Sequence, residues 1–97
     1  MAKGYWVSVY RTISDPEKLA VYNKLARAAV QAGGGRVLVR GGRVVAYDAG
    51  IAGRTVLIEF DTFEQAVAAR ESEAYQEALV TLSDAVERDF RIVEGID

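Results

Sequence analysis

The segment Gly4–Arg11 (GYWVSVYR) carries aromatic and β-branched residues at most positions, the composition of a β-strand. Alternation sends Tyr5, Val7 and Val9 to one side and Trp6, Ser8 and Tyr10 to the other. Both sides therefore hold large apolar groups, and a strand of that kind is normally covered on both faces. It belongs in the middle of a sheet. A chain of 97 residues has the length of one domain, residues 1–97, and such a domain leaves much of its surface outside the core. One face of the strand is expected beneath the chain's own helices and the other against a second copy.

The remaining elements follow from local signals. Asp15-Pro16-Glu17 starts a helix, with Asp15 capping free N–H groups and Pro16 at a position that needs none. Leu19, Tyr22, Ala26 and Ala29 recur at helical spacing, and Val21, Leu25, Ala28 and Ala32 widen that stripe. Gly33-Gly34-Gly35 stops the helix through a left-handed cap. Arg36–Arg40 (RVLVR) is a second strand. Gly41-Gly42 is either a tight hairpin loop or a bend in a longer ribbon that runs on through Arg43–Tyr47, and the bend is favoured. Arg54–Phe60 is a third strand after a loop at Asp48–Gly53. Thr62 and Gln65 have the spacing of a capping box. The helix they open breaks at Ser72 and restarts toward Val86, and Asp89–Glu94 forms a last strand. Strand, helix, strand, strand, helix, strand is the ferredoxin-like βαββαβ order: an α+β fold with an antiparallel sheet covered by helices on one face.

Val7, Val9, Val56, Ile58 and Phe60 are assigned to the helix-covered face. The opposite face then shows Trp6, Tyr10, Leu38 and Leu57, interspersed with Ser8, Arg40, Thr55, Glu59 and Arg91. An open apolar patch of that breadth is what a symmetric partner buries, so a homodimer is expected.

The chain has no histidine and no cysteine. Thiol catalysis, disulfides, histidine-assisted proton transfer and the usual zinc and haem ligands are thereby excluded. No spacing suggests a metal site, and no cofactor is expected. With 12 basic and 14 acidic residues the net charge is −2, which offers no basic patch for nucleic acid. No apolar run reaches membrane-spanning length, and Met1-Ala2-Lys3-Gly4 has no signal core, so residence in the cytoplasm is the expectation. Gly33-Gly34-Gly35 lacks the spacing of a phosphate loop, and Asp15 with Glu17 is explained by the helix start.

Five residues stand out as candidates for binding. Arg40 and Glu59 could meet across neighbouring strands, either as an ion pair that sets register or as part of an anion pocket. Tyr22, Tyr75 and Trp6 are amphipathic aromatics able to line a cavity and donate one hydrogen bond each, or to serve as plain core. Tyr75 follows the helix break at Ser72, where clefts tend to open. No residue combination identifies a catalytic centre.

Several runs of the chain resemble one family across nearly its whole length. They are Lys3-Gly4-Tyr5-Trp6, Asp15-Pro16-Glu17 with Tyr22, and above all Gly34-Gly35-Arg36-Val37-Leu38-Val39-Arg40-Gly41-Gly42. Ile58-Glu59-Phe60 with Phe63-Glu64-Gln65-Ala66, Ser72-Glu73-Ala74-Tyr75-Gln76 and Val93-Glu94-Gly95 continue the likeness. Together they resemble the domain-of-unknown-function family numbered 1330, in the dimeric α/β-barrel superfamily. The chain departs from that pattern at Glu73 and Ala74, where the family has proline and glutamate, and at Asp48-Ala49-Gly50, which has an extra residue. The resemblance implies a barrel-type dimer and no particular reaction. The expected role is binding of a small, partly apolar or acidic molecule between sheet and helices. One alternative, by likeness to the superfamily, is a cofactor-independent oxygenase or isomerase with Glu59 or a tyrosine as base. The other is a structural dimerisation module without a ligand.

Overall fold

Strand β1 runs from Gly4 to Ile13 and lies inside a four-stranded antiparallel sheet of order β2-β3-β1-β4. The computed structural model describes residues 2–96; Met1 and Asp97, the first and last residues of the expected domain, lie outside the described residues. Helix α1 spans Pro16–Ala32, and the Asp15 carboxylate accepts the Lys18 N–H at its start at 3.1 Å. Strands β2 (Arg36–Arg40) and β3 (Thr55–Phe60) follow, then helices α2 (Phe63–Glu71) and α3 (Glu73–Leu82), then β4 (Val86–Glu94). The helices cover one face of the sheet, and the expected ferredoxin-like α+β architecture is what the chain adopts.

The sheet register reverses the expected faces of β1. Trp6 pairs with Ile58 and Ser8 with Val56, while Val7 pairs with Leu57 and Tyr5 with Glu59. Directly paired residues share a face. The helix side of β1 is therefore Gly4, Trp6, Ser8 and Tyr10, all buried, and Val7 and Val9 belong to the open side with Leu57 and Thr55. Packing decides the choice. Gly4 sits so close to α2 that a Cβ would stand 2.6 Å from the Phe63 Cα. The Trp6 ring is wedged among Phe60, Tyr75 and Phe90 with centroids 4.9–5.3 Å away, and its indole N–H donates to the Ala66 carbonyl at 2.8 Å. A helix layer can bury a large ring completely and supply an acceptor for it; an open face does neither.

Other local expectations are corrected in detail. Leu19, Tyr22, Ala26 and Ala29 are buried on α1 and are joined by Val30, but Val21 and Leu25 are exposed, so the apolar stripe is narrower than the sequence suggests. Gly34, with φ 85°, supplies the left-handed residue after α1, while Gly33 stays right-handed. Thr62 caps α2 by accepting the Gln65 N–H at 3.0 Å, yet the Gln65 amide donates to the Gly33 carbonyl, tying α2 to the end of α1. Helix α3 ends at Leu82, short of Val86, because Ser83 turns the chain at φ 49°. Gly41 and Gly42 (φ 74° and 89°) end β2. Neither a tight hairpin nor a strand at Arg43–Tyr47 follows; the chain leaves the sheet and returns at Thr55.

Candidate functional site

A cavity of about 160 Å³ lies between the sheet and α1. Trp6, Ser8 and Tyr10 of β1 form its floor, together with Val56 and Ile58 of β3 and Phe90 of β4. Tyr22, Ala26 and Val30 of α1 cover it, and Tyr75 of α3 closes one side. Arg40 and Arg54, at the two ends of the irregular loop, reach it from the third.

Strand register and one break between helices place its polar groups. The regular pairing of β1 with β4 sets Arg88 opposite Tyr10 on the helix side, and the register shifts only beyond that pair, between Tyr10 and Thr12. Ser72 ends α2 and caps α3, its hydroxyl accepting the Tyr75 N–H at 3.2 Å while donating to the Ala69 carbonyl at 2.8 Å. That corner turns Tyr75 inward beneath α1, where it is 1% exposed.

Arg88 organises the closed end. One terminal nitrogen donates to the Tyr10 hydroxyl at 3.3 Å and to the Tyr22 hydroxyl at 3.2 Å; the other donates to the Tyr75 hydroxyl at 3.2 Å. The Tyr22 and Tyr75 hydroxyls also hydrogen-bond each other. The guanidinium lies 4.9 Å from the Phe90 ring centroid and 5.3 Å from that of Tyr22, within range of cation–π attraction. Burial, helped by the neighbouring Tyr75 hydroxyl, holds the Tyr22 hydroxyl well above the usual tyrosine range, with Arg88 opposing. Burial works against the charge on Arg88, but the oxygens of Tyr22, Tyr75 and Tyr10 outweigh it and keep the group firmly cationic.

Elsewhere in the cavity, hydrogen-bonding capacity is left over. The Ser8 hydroxyl and the Arg54 Nε are buried and have no partner. Ser8 itself is 4% exposed. Among the described residues, the lining includes Arg27, Arg40, Arg54 and Arg88 and no carboxylate. No group of three or more Asp, Glu, His or Cys side chains among the described residues could hold a metal ion.

Of the candidates named from the sequence, Trp6, Tyr22, Tyr75 and Arg40 converge on this cavity, and Glu59 does not. The expected meeting of Arg40 with Glu59 is replaced by another. The β2–β3 register shifts between Val37 and Val39, so Arg40 pairs with Val56 on the helix side and Arg36 pairs with Glu59 on the open side. The Arg36 Nε donates to Glu59 at 3.0 Å, its Nη2 lies 3.0 Å from Asp61, and the Tyr5 hydroxyl donates to Glu59 at 3.3 Å. One extra residue at Leu38 changes which face Arg40 occupies.

Sequence reasoning missed Arg88, Arg54, Ser8 and Tyr10 as members of the site. Two signals were present. Arg88, Phe90 and Ile92 alternate along one strand face, and Ser8 is a lone small polar residue between Trp6 and Tyr10.

A ferredoxin-like α+β protein with a partly open, arginine-lined cavity is the class defined by this geometry. The family model described as "Domain of unknown function (DUF1330)" matches residues 3–96, and the chain belongs to that family. A protein of unknown function from Rhodopseudomonas palustris is similar over 99% of this chain and 84% of its own, with a TM-score of 0.73 and 15% identity. A protein from Nitrosomonas europaea, provisionally described as an antibiotic biosynthesis monooxygenase, is similar over 98% and 90%, with a TM-score of 0.56 and 19% identity. A dimeric ferredoxin-like protein of unknown function from Thermobifida fusca is similar over 98% and 92%, with a TM-score of 0.55 and 11% identity. No curated protein matches the chain.

Proposed function

We propose that the protein is a homodimer that binds a small organic acid with an apolar body in the cavity between sheet and α1. The observation that carries this reading is the pairing of excess positive charge with unused donors. Arg40, Arg54 and Arg88 line the cavity, no carboxylate among the described residues answers them, and Ser8 Oγ and Arg54 Nε are buried without partners. Buried polar groups are normally satisfied, and a carboxylate is the acceptor that suits guanidinium groups best. Trp6, Ile58 and Phe90 offer the apolar wall against which the rest of such a molecule would lie. Cavities of about 150 Å³ accept benzene-sized molecules, so the volume suits a single small ring or a short chain.

The dimer is supported by the open side of the sheet. Val7, Val9, Leu57 and Val39 are paired there in neighbouring strands, flanked by the Arg36–Glu59 and Arg91–Asp89 ion pairs. A self-complementary patch with both signs of charge at its rim suits a two-fold interface. The structures from Thermobifida fusca and Bacteroides fragilis described as dimeric support the same reading by fold.

Titration of Trp6 fluorescence with benzoate and with benzamide tests the binding reading. Benzoate is expected to bind and benzamide to bind at least about tenfold more weakly, since a neutral amide forgoes the charge-assisted bonds. Arg54→Gln is expected to remove that preference. Equal binding of the two compounds would sink the anion site.

A second reading, an enzyme acting on that same acid, is favoured by the Arg88–Tyr22–Tyr75 arrangement. Fixed donors of this kind stabilise negative charge that develops on a substrate oxygen. Glu59 lies on the other face of the sheet and is not a base for chemistry in this cavity. Tyr75→Phe lowering kcat with KM unchanged, on a substrate that is turned over, would establish this version. A solid core beneath Tyr22 would have suited a purely structural module; the cavity argues for a ligand.

A further inference from the structure

The closed end of the cavity has more hydrogen-bond donors than acceptors, and the surplus can be counted. Tyr10, Tyr22 and Tyr75 each accept from Arg88, so the arginine uses their oxygens as acceptors. Their hydroxyl protons must then point elsewhere. One is taken up within the Tyr22–Tyr75 pair. The proton of Tyr10 and that of the accepting member of the pair are donated to no group among the described residues. Arg40 and Arg54 at the other end are donors only.

The two ends differ in kind. At the closed end the charge of Arg88 is spread over three hydroxyls and adjacent ring faces, and the free donors are neutral O–H groups. At the other end Arg54 Nε is buried and has no partner. The free O–H donors at the closed end are neutral and can take an uncharged oxygen as partner, while the charged donors without a hydrogen-bond partner lie at the other end. The unpartnered Arg54 Nε, a charged donor with Arg40 beside it in the lining, suits the carboxylate.

We propose that the ligand is an oxo acid: its carboxylate lies toward Arg54 and Arg40, and a carbonyl oxygen separated from it by an apolar spacer accepts from the tyrosine hydroxyls. This rests on the anion-binding reading above and narrows it to acids with a second acceptor oxygen.

Two pairs of acids that differ only by a carbonyl in place of a methylene test it: para-acetylbenzoate with para-ethylbenzoate, and levulinate with pentanoate. One pair is rigid and the other flexible, which covers a misjudged spacing. In at least one pair the oxo acid is expected to bind about tenfold more tightly, the usual value of satisfying otherwise unpaired buried donors. Tyr10→Phe and Tyr75→Phe keep the ring packing and are expected to remove that preference. Arg54→Gln is expected to weaken both members alike and leave the preference intact. Equal affinity within both pairs overturns the oxo-acid proposal and leaves the anion site standing. No binding by any of the four acids overturns both. A preference that survives Tyr10→Phe and Tyr75→Phe also overturns the proposal, because the carbonyl would then be read elsewhere.

Discussion

The Tyr22 hydroxyl from α1 and the Tyr75 hydroxyl from α3 meet in a buried hydrogen bond, with Arg88 donating to both from the sheet. Three elements are thereby joined at one point by groups that cannot be replaced singly without leaving a partner unsatisfied. Tyr75→Phe is expected to cost about 1 kcal/mol, the net value of a buried hydrogen bond. In a domain of this size that lowers Tm by about 4–8 °C, which calorimetry would read. No change in Tm would mean that the hydroxyl contributes nothing to the apo fold.

The same pair predicts an alkaline limit. The Tyr22 hydroxyl is raised above its ordinary value of 10.0, chiefly by burial. A folded-state pKa above the unfolded one means the folded protein holds the proton more tightly. The associated stability is complete below pH 10.0 and is lost as pH rises toward the folded value. Tm should therefore be insensitive to this group through neutral pH and fall above about pH 10. Tyr22→Phe should blunt that fall. An unchanged alkaline slope in the variant would show that other groups control it.

Val7 and Leu57 face each other at the middle of the open side of the sheet. If a second copy covers that side, Leu57→Asp buries an unpaired charge in the interface and should convert a dimer to a monomer at micromolar concentration. Light scattering of both proteins checks this. A dimer that survives Leu57→Asp and Val7→Asp together would move the interface elsewhere.

Gly41 combines a left-handed φ of 74° with close approach to Arg54, whose Nη1 would lie 3.1 Å from an added Cβ. Gly41→Ala is expected to strain the turn by about 1 kcal/mol and to displace the Arg54 guanidinium. Benzoate binding should weaken several-fold. Glu59→Gln, on the other face, should leave it unchanged. If both substitutions act equally on binding, the cavity is not where the acid sits.

Ser83 holds φ 49° and ψ −123° in the turn that stops α3, and the Ala85 N–H closes the turn onto the Leu82 carbonyl at 2.9 Å. Glycine suits that first corner position better than any residue with a Cβ. Ser83→Gly should therefore raise stability by about 0.5–1 kcal/mol, after allowing for the greater freedom of glycine in the unfolded chain. Urea denaturation with an unchanged m-value and a higher midpoint would bear this out; a lower midpoint would refute it.

The sequence by itself determined the helices, the four strands and their order, but not that Arg43–Tyr47 stays outside the sheet. Asp15-Pro16, Thr62, Ser72 and Gly34 act through bonds that reach only a few residues, so capping and helix breaks are legible locally. The central place of β1 was legible too, from apolar groups on both of its faces. Which face met the helices was not, because Trp6 and Tyr10 on one side and Val7 and Val9 on the other satisfy the same alternation. Tertiary structure decided it, through the fit of Gly4 against α2 and the acceptor that Ala66 offers to Trp6. The site divided along the same line. Trp6, Tyr22, Tyr75 and Arg40 could be chosen by residue type, but the pairing of Arg40 hinged on one extra residue at Leu38. Arg88 reached the tyrosines because the β1–β4 register sets it opposite Tyr10, in line with Phe90 opposite Ser8, and that pairing is a tertiary choice. A side-chain period of two makes every such shift a change of face, and no local signal reports it.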